Sequence, residues 1–495
     1  MERLSYDVLK KIGYDGFLLE CGPEKVMQFG EGNFLRAFAD YYFDRANEVN
    51  GWNGKVVMVQ PNGSDLAEKF NEQEGLYTLY LRGRENGKQI EKRRVISAVS
   101  RCIDPRRDFD KVLELVQSPE LEIIVSNTTE AGIIYDPDSR LEQMPPASFP
   151  AKLTRVLLER YQAGGSGLLI LSCELIDANG KELQAIVNRY IDDWSLDDGF
   201  RRWVNEENQF CSTLVDRIVP GRIREAGELA RLEAENGYRD DLMDVGEVFG
   251  MWVIEGAEQI SARLPFDGIG EDIRIVPDIM PYKQQKVRIL NGAHTGFALG
   301  AYLAGEDIVR NCMGSPVIRA FMERMLQEEI IPTLPLDPVD LHRFAEAVGD
   351  RFDNPYIDHA LLSISLNSTS KWRTRNLPSL LAYVEKKDQL PECLVMSLAA
   401  YIAFYSCSIE ERTDDALICQ RSAGDLYGVK DDAWVLDFFW ERRNAGSAAL
   451  AEAVLSNERM WGRDLTKIKR LTAAVTADLT LIRSEGPLAA FASCL

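Results

Sequence analysis

The sequence predicts an α/β protein: a parallel-sheet domain with insertions over residues 1–276, followed by a mostly α-helical domain over residues 282–495. Three observations lead there. Short apolar runs without polar alternation, separated by helical segments, fill the first half, as expected of strands covered on both faces. From about Tyr282 helical periodicity dominates and strand-like runs nearly vanish. Between the two halves, Pro277-Asp278-Ile279-Met280-Pro281 has the composition of an interdomain link. A length of 495 residues also exceeds one ordinary domain.

Lys25–Phe29 reads as a first strand that runs into Gly30-Glu31-Gly32-Asn33, and Phe34–Ala46 as the helix after it. Lys55–Gln60 is a second strand ending in Pro61-Asn62-Gly63. Glu122–Ser126 and Leu168–Ser172 are a third and a fourth. Strand, glycine-containing turn and helix in this order describe a Rossmann-type domain. Tyr77–Leu81 and Arg93–Val99 flank Glu85-Asn86-Gly87-Lys88, and an Asn-Gly turn between strand-like runs predicts an inserted hairpin. In the second half, Val317–Glu329, Leu341–Arg351, Leu394–Tyr405 and Leu465–Ala477 carry helical periodicity.

Composition narrows the function. The apolar and charged fractions, 45% and 27%, are those of a globular protein with a real core. A net charge of −21 argues against general affinity for nucleic acid or an anionic membrane. Nine scattered cysteines without a C-x-x-C pair, and three histidines, give a poor ligand set for a metal, and none is expected. Reduced thiols, no signal-peptide core in Met1–Lys11, and no apolar stretch of about 18 residues together predict a cytoplasmic protein, a monomer or small homo-oligomer.

Ligands of an open parallel sheet bind beyond the carboxyl ends of its strands, where Gly30-Glu31-Gly32 sits. The first glycine permits a tight turn, and the second lets backbone approach a pyrophosphate, with Asn33 and Phe34 opening the helix. Leu35 stands where a third glycine would complete the fingerprint. Gln60 ends the second strand, and Asp65, the first carboxylate after it, either accepts from the adenine ribose or caps the next helix. No Arg or Lys lies between them to hold a 2′-phosphate, which favours NAD over NADP. After the third strand, Asn127, Thr129 and Glu130 either line the cofactor or cap a helix.

The richest stretch is Lys286 through His294. At ~100° per residue on an α-helix, Asn291 lies ~140° and His294 ~80° around from Lys286, so all three can reach one cleft. Oxidising a secondary alcohol requires loss of its hydroxyl proton. A lysine can take it, an asparagine amide can donate to the developing alkoxide, and a histidine can orient the hydroxyl. The plainer alternative is an amphipathic helix with a surface lysine.

Gly30-Glu31-Gly32-Asn33-Phe34-Leu35-Arg36-Ala37, Thr129-Glu130, Ser172-Cys173-Glu174, Val215 through Pro220, Trp252-Val253-Ile254-Glu255 and Lys286 through His294 occur in one order along nearly the whole chain. In these the sequence closely resembles the polyol-specific long-chain dehydrogenases, the family of mannitol dehydrogenase and the hexuronate reductases. The resemblance implies a metal-independent NAD enzyme with Lys286 as general base, Asn291 as oxyanion donor and His294 as a substrate contact. Mannitol-type members read H-R-A-H where this chain has Leu35-Arg36-Ala37-Phe38. They read S-C-D-N where it has Ser172-Cys173-Glu174-Leu175, so a second oxyanion donor is missing at Leu175, and they carry a Glu at the position of Lys283. The first motif and Cys173-Glu174-Leu175-Ile176-Asp177 are similar to the hexuronate-reducing members, which implies a sugar-acid substrate. Its carboxylate needs a cation, for which Lys283, Arg373 and Arg375 are candidates. Asp216 either anchors substrate hydroxyls, buttresses the lysine or pairs with Arg217. A mannitol, arabinitol or mannonate dehydrogenase of the same family is the near alternative, and a non-catalytic NAD-binding sensor the distant one.

Overall fold

The computed structural model describes residues 1–61, 65–129 and 131–495. The chain divides into two compact units, residues 1–82 with 90–279 and residues 83–89 with 280–495. The expected fold class is observed: a parallel-dominated sheet in the first and a helix-rich second.

Among the described residues, eight strands make the main sheet of the first unit. These are β1 (Glu24–Phe29), β2 (Lys55–Val59), β5 (Val99–Ile103), β6 (Ile123–Ser126), β7 (Leu169–Ser172), β8 (Gln209–Asp216), β10 (Met251–Glu255) and β11 (Asp272–Val276), in the order β11-β10-β8-β7-β6-β1-β2-β5. Neighbours from β5 to β8 are parallel, β10 runs antiparallel to β8, and β11 is parallel to β10. Alternate residues of one strand enter opposite cores. Val26, Val56 and Met58 pack with Phe38, Tyr42 and Trp252, whereas Met27, Phe29, Val57 and Val59 pack with Val112, Leu153 and Leu157. Both faces are covered, so the strands read as unbroken apolar runs. The four expected strands lie where the runs are. β5, β8, β10 and β11 were not anticipated; the charged, half-exposed sequence DIRIV of β11 is that of an edge.

The helix expected over Phe34–Ala46 is two helices, Asn33–Ala37 and Ala39–Asn50, broken at Phe38. The break releases backbone carbonyls that distant side chains satisfy. Tyr77 Oη donates to Arg36 O (2.8 Å), and Arg217 Nη1 to Ala37 O (2.6 Å). The hairpin is present as β3 (Tyr77–Glu85) and β4 (Lys88–Ile96), longer than expected. Asn86 and Gly87 both have positive φ, 53° and 72°, as a two-residue type I′ turn requires. β3 also pairs in parallel with β9 (Asp244–Glu247). The hairpin tip, residues 83–89, groups with the second unit, where Arg84 pairs with Asp353 at 2.8 Å and Gln89 donates to Tyr356 Oη at 2.7 Å.

In the second unit, Glu392–Ser406 is apolar on all sides and buried from Cys393 to Ser406, which makes it a central helix. Gly292–Leu303 and Leu471–Glu485 pack on it. The segment expected as one helix over Leu465–Ala477 is a short 3-10 turn, Leu465–Lys467, followed after Arg470 (φ 68°) by Leu471–Glu485. Strands do not vanish here: β12 (Ile409–Arg412), β13 (Leu417–Gln420) and β14 (Leu426–Val429) form an antiparallel meander, four residues per strand and mixed in polarity. Among the described residues no helix is long and apolar enough to cross a membrane.

Candidate functional site

In the first unit the site is built around the turn after β1. Gly30 has φ 126°, and a Cβ there would lie 3.0 Å from Asn127 O and 3.1 Å from Leu35 Cδ1. The fold itself therefore demands glycine at this position. Gly32 is different: it sits in extended backbone at the start of Asn33–Ala37, and a Cβ there would meet nothing within 4 Å among the described residues. The open space beside Gly32 is what a pyrophosphate needs to approach backbone amides closely.

Most side chains proposed from the sequence around this turn are engaged within the protein. Asn33 Oδ1 accepts from Arg36, whose guanidinium also donates to Leu242 O and stands 3.7 Å from Asp244. Phe34 stacks on Phe38 with ring centroids 4.9 Å apart. Gln60 is buried, and its Oε1 accepts from Ala67 N at 3.1 Å. Asp65 makes no capping bond to Leu66–Glu72 and pairs instead with Lys69 at 2.6 Å, which holds its carboxyl below the usual range. Asn127 Nδ2 donates to Cys173 O at 2.9 Å. Thr129 is exposed with φ 70°, a strained backbone for a β-branched residue. Glu130 lies outside the described residues.

Glu174 gains a role that the sequence carried only as part of a motif. Buried at the end of β7, it accepts from Ser126 Oγ, Thr128 N and Thr128 Oγ1, each at 3.1 Å, and so ties down the loop after β6. Burial pushes its carboxyl up. The neighbouring Leu175 is 64% exposed and has no polar atom on its side chain to offer. Asp216 is buried at the end of β8. Arg217 donates to the carbonyls of Ala37 (2.6 Å) and Phe249 (3.0 Å) and stands over the Tyr41 and Tyr42 rings, with Glu271 4.0 Å away.

In the second unit, Met280–Gln285, Lys286–Asn291 and Gly292–Leu303 form one continuous helical run, as expected, but Lys286–Asn291 is a π turn. This corrects the angles of an ideal α-helix. A π turn takes up one extra residue, so the positions beyond it rotate back by about 100°. By that count Asn291 lies about 40° and His294 about 20° from Lys286, and the three share one face more closely than α-helical spacing allows. The turn sits where Gly292 lets Asn376 close in, since a Cβ there would stand 3.0 Å from Asn376 Oδ1.

Lys286 and Asn291 are half-buried. The His294 ring stacks on Phe352 (centroids 4.0 Å) and meets His359 edge-on (5.2 Å). Its Nε2 is buried and has no hydrogen-bond partner among the described residues. Burial first, then the charges of His359, Arg351, Arg375 and Lys371, hold the imidazole well below its ordinary range, so it is neutral at neutral pH.

Of the proposed carboxylate-binding cations, Arg375 donates to Thr295 Oγ1 at 3.1 Å, one residue from His294. Lys283 is half-buried on Met280–Gln285. Arg373 is exposed beside Gly462, on the opposite side of the helix Ser368–Arg375 from Arg375. Lys371, not singled out from the sequence, lies one helical turn from Arg375 on the same face of that helix. Among the described residues no cluster of three or more His, Cys, Asp or Glu is arranged to hold a metal ion.

Residues 24–268 match the family model described as the mannitol dehydrogenase Rossmann domain, and residues 278–483 the mannitol dehydrogenase C-terminal domain. The chain belongs to the mannitol dehydrogenase family. The resemblance carried by the glycine turn and by Lys286 through His294 therefore holds over both units. An altronate oxidoreductase of Klebsiella pneumoniae (strain 342) is 46% identical over 475 residues, covering 94% of this chain and 95% of the relative. One of Bacillus subtilis (strain 168) is 42% identical over 471 residues, 94% of each. Among solved structures, a D-sorbitol dehydrogenase in substrate-free form matches with a TM-score of 0.82 at 22% identity, over 99% of this chain and 100% of that one. Pseudomonas fluorescens mannitol 2-dehydrogenase, a ternary complex with NAD and D-mannitol, gives 0.64 at 21%, over 99% of each. At such identities these two speak for the fold.

Proposed function

We propose that this chain is an NAD-dependent altronate oxidoreductase that interconverts D-tagaturonate and D-altronate in hexuronate catabolism. The observation that carries the reading is 42–46% identity to altronate oxidoreductases over 94% of the chain. Leu175 supports it against a mannitol-type enzyme, because the second oxyanion donor of that type has no counterpart there.

The bound dinucleotide supplies or accepts the hydride. Gly30 permits the tight turn, Gly32 leaves room for its pyrophosphate, and the stretch from Gln60 to Asp65 offers no cation to a 2′-phosphate, which supports NAD. Reduction of the ketone turns C=O into CH–OH, and the oxygen must gain a proton as its charge develops. Lys286 gives that proton as an ammonium and is left as an amine, to be reprotonated from solvent; in the oxidative direction the amine takes it back. Asn291 donates to the oxygen as negative charge builds. His294, neutral and with no partner for Nε2 among the described residues, hydrogen-bonds a substrate hydroxyl.

A substrate panel followed by NADH absorbance tests the reading. Tagaturonate is expected to be reduced at least ten times more efficiently than fructuronate or fructose. Preference for either of the latter, or for NADPH, would overturn the corresponding part.

A further inference from the structure

Three cationic side chains act on His294 from two segments of the second unit, and no acid among the described residues acts on it with comparable strength. Arg351 precedes Phe352, the ring on which His294 stacks. Lys371 and Arg375 lie four residues apart on Ser368–Arg375, and hence on one face. Their hydrogen bonds are to neutral groups: Lys371 Nζ donates to Ile364 O at 2.9 Å, and Arg375 Nη1 to Thr295 Oγ1 at 3.1 Å. The acid that favours the charged form of Lys371 is Asp431. Its Oδ2 is already taken by Thr369 N (3.1 Å), Thr369 Oγ1 (2.8 Å) and Tyr405 Oη (2.5 Å).

Like charges held together in partly buried surroundings repel one another, and burial adds a desolvation cost to each. In a chain with 78 acidic residues against 57 basic ones, carboxylates to neutralise them are plentiful elsewhere. Lys371 and Arg375, with neutral hydrogen-bond partners and next to a buried His294 Nε2 that has no partner among the described residues, are complementary to an anion that also carries a hydroxyl.

We propose that Arg375 and Lys371 form a carboxylate-binding cradle that makes the site selective for sugar acids over neutral polyols and ketoses, with His294 holding the hydroxyl beside the carboxylate. This rests on the proposed altronate reading and deepens it, assigning the acid end of the substrate to the helix Ser368–Arg375. Of Arg375's five N–H donors, those not used on Thr295 suit the two oxygens of a carboxylate. Arg373, two residues away, faces the other side of the helix and takes no part.

The test compares an acid with its neutral counterpart. Altronate and altritol differ by a carboxylate against a CH₂OH group, and their binding is measured by calorimetry on the intact protein with NADH present, alongside turnover of tagaturonate. Arg375→Met should weaken altronate binding by about 30-fold or more and raise the KM for tagaturonate to match, with altritol binding changed less than 3-fold. Lys371→Met should do the same more mildly, and Arg375→Lys should recover part of the loss. The altritol arm reports whether each variant remains folded. If both Met variants keep wild-type altronate affinity, or lose altronate and altritol equally, the cradle is wrong. If the wild type binds altronate through Arg375 but turns over no uronate, the cradle stands and the proposed reaction falls. If the wild type does not bind altronate at all, both fall.

Discussion

The glycine turn of the first unit and the Lys286–His294 helix of the second are built on opposite plans. Around the turn, Asn33, Phe34, Gln60 and Asn127 are held by other protein groups, and what they leave for a ligand is backbone and the open space beside Gly32. Along the helix, His294 Nε2 has no partner among the described residues, and on the helix Ser368–Arg375 the hydrogen bonds of Lys371 and Arg375 go to neutral groups. A dinucleotide pyrophosphate presents the same oxygens to any protein, and backbone amides suffice for it. A sugar acid is distinguished from a sugar only by side chains of the right charge. The contrast predicts that substitutions in the second unit change which substrate is used and how fast, whereas in the first they act through glycine and backbone.

Lys286→Ala should show the largest effect and break the comparison most directly. We expect kcat for tagaturonate reduction to fall by roughly 10³- to 10⁵-fold, with NADH affinity by fluorescence titration changed less than 2-fold. A variant that lost NADH binding equally would mean that Lys286 belongs to the cofactor plan.

Gly30→Ala and Gly32→Ala form a matched pair. At Gly30 the methyl meets Asn127 O and Leu35 on a backbone with φ 126°, so the first variant should lose about 1–3 kcal/mol of stability as well as NADH affinity. Gly32 has φ −67° and an empty surround, so the second should keep its melting temperature and lose NADH affinity by ten-fold or more. Equal unfolding of the two would refute the assignment of Gly32 to ligand approach.

Each unit also buries a carboxyl that burial pushes up to about 7: Asp40 in the first, Glu329 in the second. Both retain protons in the folded state that the unfolded chain releases near pH 4. Their stabilising contribution is therefore full below about pH 4 and is lost as pH rises through about 7. The packing separates them. Asp40 Oδ2 accepts from Gln28 Nε2 (3.4 Å) and Tyr77 Oη (3.3 Å), while its Oδ1 and Gln28 Oε1 are buried acceptors without donors among the described residues. Asp40→Asn supplies a donor without a charge and should stabilise by on the order of 1 kcal/mol above pH 7, flattening the pH dependence of the melting temperature. Glu329 instead accepts from Cys393 N (2.7 Å) and Leu394 N (2.8 Å) at the start of the central helix. In Glu329→Gln an amide NH₂ opposes one of those N–H groups, so it should destabilise by about 1–3 kcal/mol.

What the sequence disclosed follows from the range of the forces involved. The runs at β1, β2, β6 and β7 and the Asn-Gly hairpin were legible because burial on both faces and positive φ leave local marks. The break at Phe38 was not, because the groups that satisfy its carbonyls, Tyr77 and Arg217, are about 40 and 180 residues away. Spacing alone could not separate an α-helix at Lys286–His294 from a π turn, since the extra residue is accommodated by packing near Asn376. Arg375 was legible as a charge beside the site. That Lys371, and not Arg373, shares a helix face with Arg375 follows from helical periodicity alone, applied to a segment whose helix was not foreseen.

Asp65 carries the smallest expected effect and the sharpest test of the plan in the first unit. Its ion pair with Lys69 is exposed, one helical turn in length and screened by solvent, so Asp65→Ala should leave the melting temperature unchanged. A pair so weakly held exchanges partners readily, and the carboxylate can turn from Lys69 to ribose hydroxyls with little opposing cost. We expect NADH affinity to fall between 3- and 10-fold by fluorescence titration, with NADPH affinity unaffected, because a 2′-phosphate gains nothing from a carboxylate. No change would leave the cofactor recognised by backbone alone and make the contrast between the two units complete. A loss well beyond 10-fold would show a side chain dominating the first unit too, and the division of labour argued from Gly32 would have to be abandoned.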